Sequence, residues 1–405
     1  MATHPVPRWP AFLTAGFRPF FGFAALAAAV IVIRTVLVFA GLAESPVGGP
    51  IRWHGHEMLF GFVPAAMTGF LLTAIPNWAG TRPVQGAPLL VLALWWVIAR
   101  GAMWPGHPGL AASAVDALFL PLAAIIATRP LWSSGRVRSW LPAGVFILFG
   151  VANLLWHAGV QLGAPGLTDR AIRFATMLIA LMIAVIGGRI TPAFTRNRMH
   201  GAGAAPLPRA NDLRDTTAIA ASALVAIAEL VGPLWAAAIA VPAALLHAVR
   251  LAGWRGTWAA RDPLLFVLHV GYAWLAAGYA IRATALLGPV WAGAWSLHGI
   301  LAGAVGTMVL GVMTRATLGH TGQPLRAGPT MTLAFAVLQA GVIARLLAPW
   351  TGTVAWIAAG LLWAVAFMLF LARCGHLLLR ARPEPRAATT TVSPTPGHRL
   401  GRTAG

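Results

Sequence analysis

The sequence predicts an all-α protein, a polytopic transmembrane helix bundle of about twelve helices. Three observations predict it. Of 405 residues, 59% are hydrophobic and only 9% are charged, against about 25% charged in soluble domains. The apolar residues gather in runs of about 20, the length that spans a bilayer as a helix. The remaining charge sits mostly in the short gaps between runs, and all 29 basic residues are arginine. A mean hydropathy of +0.77 agrees. A soluble fold of this size has no way to hide so much apolar surface, whereas lipid accepts it on the outer face of every helix.

In chain order the spans are expected at residues 17–41, 53–75, 87–104, 109–128, 140–160, 171–190, 215–231, 233–252, 264–284, 296–315, 330–349 and 353–376. Residues 1–16 form a short cytoplasmic N-terminal segment. The first run is too long for the core of a cleaved signal peptide and reads as a retained helix. Pro192 is expected to stop the sixth helix. The longest gap, 191–214, follows it, and no convincing six-helix repeat lies on its two sides. The seventh and eighth spans are separated by only Gly232 and Pro233, which suits a tight helical hairpin. The runs show no period-two alternation, so strands are not expected. Residues 377–405 read as a disordered cytoplasmic tail, rich in Pro, Thr and Gly.

Arginine orients the bundle. Alternate gaps place 22 arginines on one side and 6 on the other, with Arg34 left inside a helix. The arginine-rich side is expected to face the cytoplasm, and an even number of spans puts both ends there. A net charge of +20 can signal nucleic-acid binding. These arginines line no single amphipathic face, so membrane lipid is the expected partner and nucleic acid is not. The one cysteine, Cys374, excludes an internal disulfide. A metal must therefore rely mainly on His, Met or carboxylate ligands.

Polar groups inside a membrane are costly, so each asks for an explanation. His54 and His56 open the second helix, His157 lies near the end of the fifth and His298 at the start of the tenth. All four fall at similar depth on the arginine-poor side. Imidazoles from separate helices can clamp a haem or a copper ion across a bundle. His54 and His56 are two apart and point to nearly opposite sides. One is expected to ligate while the other caps the helix or meets solvent. Glu57 is placed to orient a ligand or carry a proton. Arg34 and Asp116 each lie about 10 Å inside the same end of their helices. They are expected to pair, or Arg34 to meet a haem propionate. His247 and His269 sit nearer the arginine-rich side, and His320 lies just past the tenth helix there. Arg189 and Arg315, beside Thr191, Thr195 and Thr317, could hold an anion such as a propionate; positive-inside anchoring is their ordinary role. Gly299 and Gly303, with Gly306 and Gly311, mark a close helix-packing face.

Together the motifs form a recognisable set. They are Gly16-Phe17-Arg18-Pro19-Phe20-Phe21, Trp53-His54-Gly55-His56-Glu57-Met58, Asn153-Leu154-Leu155-Trp156-His157, Gly187-Gly188-Arg189-Ile190-Thr191-Pro192, and Gly311 to Gly322 with Thr314-Arg315 and His320. Over about residues 15–375 the chain resembles the NnrS family of bacterial membrane proteins. The resemblance implies a twelve-helix protein of the bacterial inner membrane that carries haem and copper. It implies a role in the response to nitric oxide and nitrosative stress, with no defined enzyme reaction. Carried over residue by residue, the motif histidines are His54, His56, His157, His298 and His320. Iron at such a site could bind nitric oxide or pass an electron from a donor that the sequence does not name. A transporter or channel for a metal, haem or small anion is the alternative that twelve helices and buried ions also suit.

Overall fold

The computed structural model describes residues 9–106, 108–132, 135, 139–208, 211–288, 293 and 295–380. Its twelve long helices are α1 Phe17–Phe39, α2 Pro50–Ala79, α3 Ala87–Met103, α4 Leu110–Thr128, α5 Trp140–Gln161, α6 Pro165–Gly201, α7 Asp212–Val231, α8 Pro233–Ala252, α9 Pro263–Ala283, α10 Trp295–His320, α11 Gly328–Thr351 and α12 Thr353–Leu379. Ten of these regions are long and apolar enough to cross a membrane. The other two are α3, which is apolar but only 17 residues long, and α7, whose first turn carries Asp212 and Asp215. No strand occurs among the described residues.

Consecutive helices pack on one another, and α12 returns to pack against α1. Arg18 fastens this closure. Its guanidinium donates to the carbonyls of Leu377, Leu378 and Arg380 at 3.1, 3.1 and 2.6 Å, satisfying acceptors that the end of α12 leaves open. Three helices form the interior. Buried residues make up 78% of the apolar window of α2, 89% of that of α6 and 78% of that of α10, against 33–56% in the other spans. The same three each contain a π-helical turn, at Glu57–Phe62, Ile183–Gly187 and Gly299–Val305. A π turn inserts a residue and is frequent at functional sites.

The expected packing role of the α10 glycines holds. A side chain at Gly299 would strike Ile281, one at Gly303 would strike Trp274, and one at Gly306 would strike Trp363. Gly232 alone separates α7 from α8, as the hairpin reading requires.

Pro192 does not stop the sixth helix, which continues to Gly201. Proline in a helix strands the carbonyl four residues earlier, here that of Gly188. The π turn strands a second one, because the Gly188 amide donates to Ile183 and leaves Ala184. Arg250 of α8 takes both, donating to Ala184 at 2.7 Å and to Gly188 at 3.4 Å. A side chain at Gly188 would occupy the space of that guanidinium. The gap after α6 accordingly shortens to residues 202–211. The last helix runs to Leu379 rather than 376, and the tail beyond residue 380 lies outside the described residues.

Candidate functional site

Two sites lie at the arginine-poor end of the bundle, on opposite sides of α2. The first is a buried polar cluster. Glu57 of α2 and Asp116 of α4 both pair with Arg100 at the end of α3, Glu57 at 2.7 Å. The Oδ2 atom of Asp116 also accepts from Asn153 at 2.9 Å and from His157 at 2.8 Å, both on α5. His56 donates from Nδ1 to Glu57 at 2.9 Å, since a carboxylate only accepts. In the neutral imidazole Nε2 is then the unprotonated nitrogen, and it faces Asp116 Oδ2 at 3.3 Å. His56, Asp116 and His157 offer ligand atoms that all lie within 4.8 Å of one another.

Two features of this cluster ask for a cation. The Nε2 lone pair of His56 is buried without a hydrogen-bond partner and confronts an anionic oxygen. In addition, two buried carboxylates share one guanidinium, so with neutral imidazoles the group carries net charge −1. Buried charge is stable only when balanced, and a proton or a metal ion between His56 and Asp116 supplies what is missing. Glu57 then holds His56 in the tautomer that a metal requires, the usual work of a group behind a histidine ligand.

The second site is a cavity of about 1090 Å³ walled by α1, α2, α6, α10, α11 and α12. It is mainly apolar and runs along α2 from Pro50 to Val63, about 20 Å at 1.5 Å per residue. His54 and His298 both line it. The Thr35 hydroxyl donates to Ile31 at 2.7 Å, so it accepts from His54 Nδ1 at 3.1 Å. That bond leaves His54 Nε2 unprotonated. Arg52, Arg173 and Arg345 line the cavity with only one carboxylate, Asp169. Glu229 pairs with Arg173 but is shared with Arg282. The wall is thus in positive excess and suits an amphipathic anion. Trp156 stands between the two sites: it lines the cavity, and its ring centroid lies 4.0 Å from that of His56.

A family model described as NnrS protein matches residues 11–382, nearly the whole chain. The chain belongs to the NnrS family. No curated protein matches it. Membership and the ten apolar spans make it a multi-pass membrane protein. NnrS membership also points to a metal or haem protein, and the His56–Asp116–His157 group is suited to a metal.

The geometry redistributes the NnrS motif residues. His54, His56, His157 and His298 do share one end of the bundle, yet they divide between two sites. His54 and His56 point to opposite sides of α2 as their spacing requires: His56 is buried against Glu57 and Asp116, and His54 lines the cavity. The expected Arg34–Asp116 pair is absent. Depth along the helix matched, but α4 packs mainly against α3, α5 and α2 and meets α1 at Phe119 and Phe20, and Arg100 reaches Asp116 instead. Arg34 lies between the rings of Trp53 and Trp104, at 4.3 and 4.2 Å from their centroids, and donates to the Trp104 carbonyl. His320 stacks on Phe17 with centroids 5.3 Å apart, at the far end of α10 and about 33 Å along it from His298. Arg189 is exposed, and Arg315 lies over the Phe194 ring at 3.9 Å. His247 and His269 are buried in hydrogen bonds on the arginine-rich side of the bundle.

Sequence reasoning missed Arg100, Asn153, Thr35, Trp156 and Arg345. Asn153 and Trp156 stood inside a quoted NnrS motif, with Asn153 one helical turn before His157 and on its face. Arg100 and Arg345 are among the six arginines counted on the arginine-poor side.

Proposed function

We propose that this chain holds haem and copper and acts in the bacterial response to nitric oxide, as an inner-membrane protein with both termini in the cytoplasm. The observation that carries the reading is that His54 and His56 each have Nδ1 occupied by a fixed acceptor, leaving Nε2 for a metal on opposite sides of α2. The cavity fits haem, a planar, largely apolar group with two carboxylates. His54 and His298 are its ligand candidates, and Arg52, Arg173 and Arg345 its propionate partners. The nitrogen and oxygen donors of His56, His157 and Asp116 fit copper(II), with the His157 proton moved from Nε2 to its unpartnered Nδ1. Bound haem iron supplies a centre for nitric oxide, a small apolar molecule that reaches a cavity of this kind through lipid. The 22-to-6 division of arginine supports the orientation.

A second reading of the cluster has one observation in its favour. Two histidines and one carboxylate also suit non-haem iron(II), and metal analysis separates the two. Purified protein and its single variants test the whole reading. His54→Ala is expected to lose the Soret band and keep copper, and His56→Ala to do the reverse. Wild type without a Soret band overturns the haem assignment. Wild type without copper, or His56→Ala with full copper, overturns the other.

A further inference from the structure

A second polar system runs through the half of the bundle formed by α7, α8 and α9. On α7, Asp215, Ser222 and Glu229 recur every seven residues, so all three lie on one stripe. The stripe is about 21 Å long, most of a bilayer core. Asp215 is partly exposed at the arginine-rich end, while Ser222 and Glu229 are fully buried. His247 and Arg250 of α8, with Tyr272, Tyr279 and Arg282 of α9, face the same stripe. The chain has two tyrosines in all, and both flank His247. Tyr279 stacks on its ring with an interplanar angle of 14°, and Tyr272 bonds its Nδ1 at 2.8 Å.

The hydrogen bonds of this system have a definite sense. Arg250, held by Asp215 at 2.9 Å, donates to the Tyr272 hydroxyl at 2.8 Å. Guanidinium has no acceptor, so the Tyr272 proton points to His247 Nδ1. His247 then donates from Nε2 to Ser222 at 2.7 Å. Beyond Ser222, the Tyr279 hydroxyl is buried without a hydrogen-bond partner, and Glu229 Oε2 has only its ion pair with Arg173. Water can bridge such groups. Glu229 meets Arg282 at 2.7 Å and Arg173 at 3.2 Å, and Arg173 lines the cavity. Polar residues at this depth are expensive. Capping the open carbonyls of α6 accounts for Arg250, but it does not require His247, Ser222, Tyr279 or Glu229.

We propose that α7, α8 and α9 hold a proton pathway from the arginine-rich face to the Arg173 wall of the cavity, kept shut at rest by Arg250. One transfer balances as follows. Tyr272 passes its proton to His247 Nδ1 and regains one from the Asp215 side. His247 releases its Nε2 proton to Ser222, whose own proton turns from the Ala218 carbonyl to Tyr279; Tyr279 passes its own through bridging water to Glu229 at the Arg173 wall, and the imidazole is left in its other tautomer. Side-chain rotation resets the chain. The fixed positive charge of Arg250, set between Asp215 and Tyr272, repels a proton in transit, as arginine does in proton-excluding pores.

The test uses the full chain in proteoliposomes with a trapped pH dye and a potassium diffusion potential. Wild type is expected to be proton-tight. Arg250→Gln, whose amide can still serve the Ala184 carbonyl, is expected to speed proton entry on the order of tenfold or more. Arg250→Gln/His247→Phe is expected to return to the wild-type rate. A monodisperse Arg250→Gln that stays tight, or a double variant that leaks equally, overturns the pathway. Infrared-detected deuterium exchange of the two tyrosine hydroxyls in wild type serves if Arg250→Gln does not fold, because both lie on the cavity side of Arg250 and exchange from there without passing it. Exchange within minutes supports the pathway, and hydroxyls unexchanged after hours overturn it.

Discussion

The charge count of the His56 cluster predicts that its two ion-pair partners differ sharply when removed. Arg100→Met leaves Glu57 and Asp116 buried together without a cation. Removing one partner of a buried pair costs about 3–5 kcal/mol, and two carboxylates share this partner, so the upper figure applies. Asp116→Asn instead brings the cluster to neutrality. Glu57 keeps Arg100, and the amide oxygen still accepts from both Asn153 and His157, so only the Arg100 bond goes. The loss is one charge-assisted hydrogen bond of about 1.5–3 kcal/mol, partly offset because a buried charge disappears. A net loss of about 1–2 kcal/mol follows. At roughly 2 °C per kcal/mol, the figure for large domains, Arg100→Met should melt about 10 °C below wild type and Asp116→Asn about 2–4 °C below, in detergent by intrinsic fluorescence. Copper(II) at about a hundred times its Kd adds about 2.7 kcal/mol to a protein that binds it. Wild type and any folded Arg100→Met should therefore rise by about 5 °C, and Asp116→Asn should not. Equal melting losses in the two variants, or a full copper response in Asp116→Asn, would refute the net-negative cluster.

The other predictions use the same reasoning. Thr35→Val removes the acceptor that fixes His54, and loss of such a partner lowers metal affinity about 10–100-fold; haem titration into apoprotein should show weaker loading with copper unaffected. Glu229→Gln leaves Arg173 and Arg282 facing each other, so unlike Asp116→Asn it should cost about 3–5 kcal/mol, read as a melting loss comparable with that of Arg100→Met. Reversing the charges of Arg34 and Asp116 together should rescue nothing lost in either single reversal, because Asp116 answers to Arg100; restored expression of folded protein in the double variant would contradict the structure.

Much of the fold was legible in the sequence because a spanning helix announces itself by length alone. All twelve helices lie where apolar runs predict them, including α7 and α8 on either side of Gly232. Pro192 was misleading because its relief comes from Arg250, 58 residues away in sequence (192 to 250), and local pattern carries no trace of that contact. Topology also gave depth, which grouped His54, His56, His157 and His298 at one end. It did not give azimuth. Arg34 and Asp116 matched in depth and still faced different helices. The opposite directions of His54 and His56 followed from their spacing, but two sites instead of one required the positions of Thr35 and Glu57. The π turns had no signal in the sequence, since a one-residue insertion leaves an apolar run apolar.

Those turns bear on why α2 can serve two sites. A π turn frees a carbonyl, and a buried free carbonyl needs a donor. In α6 the donor is Arg250; within the π turn of α2, the Trp96 indole of α3 donates to the Gly61 carbonyl at 3.1 Å. The neighbour that supports the distorted turn of α2 thus belongs to the helix that carries Arg100, so the turn and the ion cluster are fixed by one contact surface. On the other face of α2, Thr35 of α1 fixes His54. A single ligand bridging both histidines does not fit, because the Trp156 ring lies between the cavity and His56 and the charge balance changes sign across it. The cluster is short of a cation, and the cavity is short of an anion. Under the proposed function, two ligands of opposite charge, each held by one histidine of the His-Gly-His motif, would satisfy both deficits.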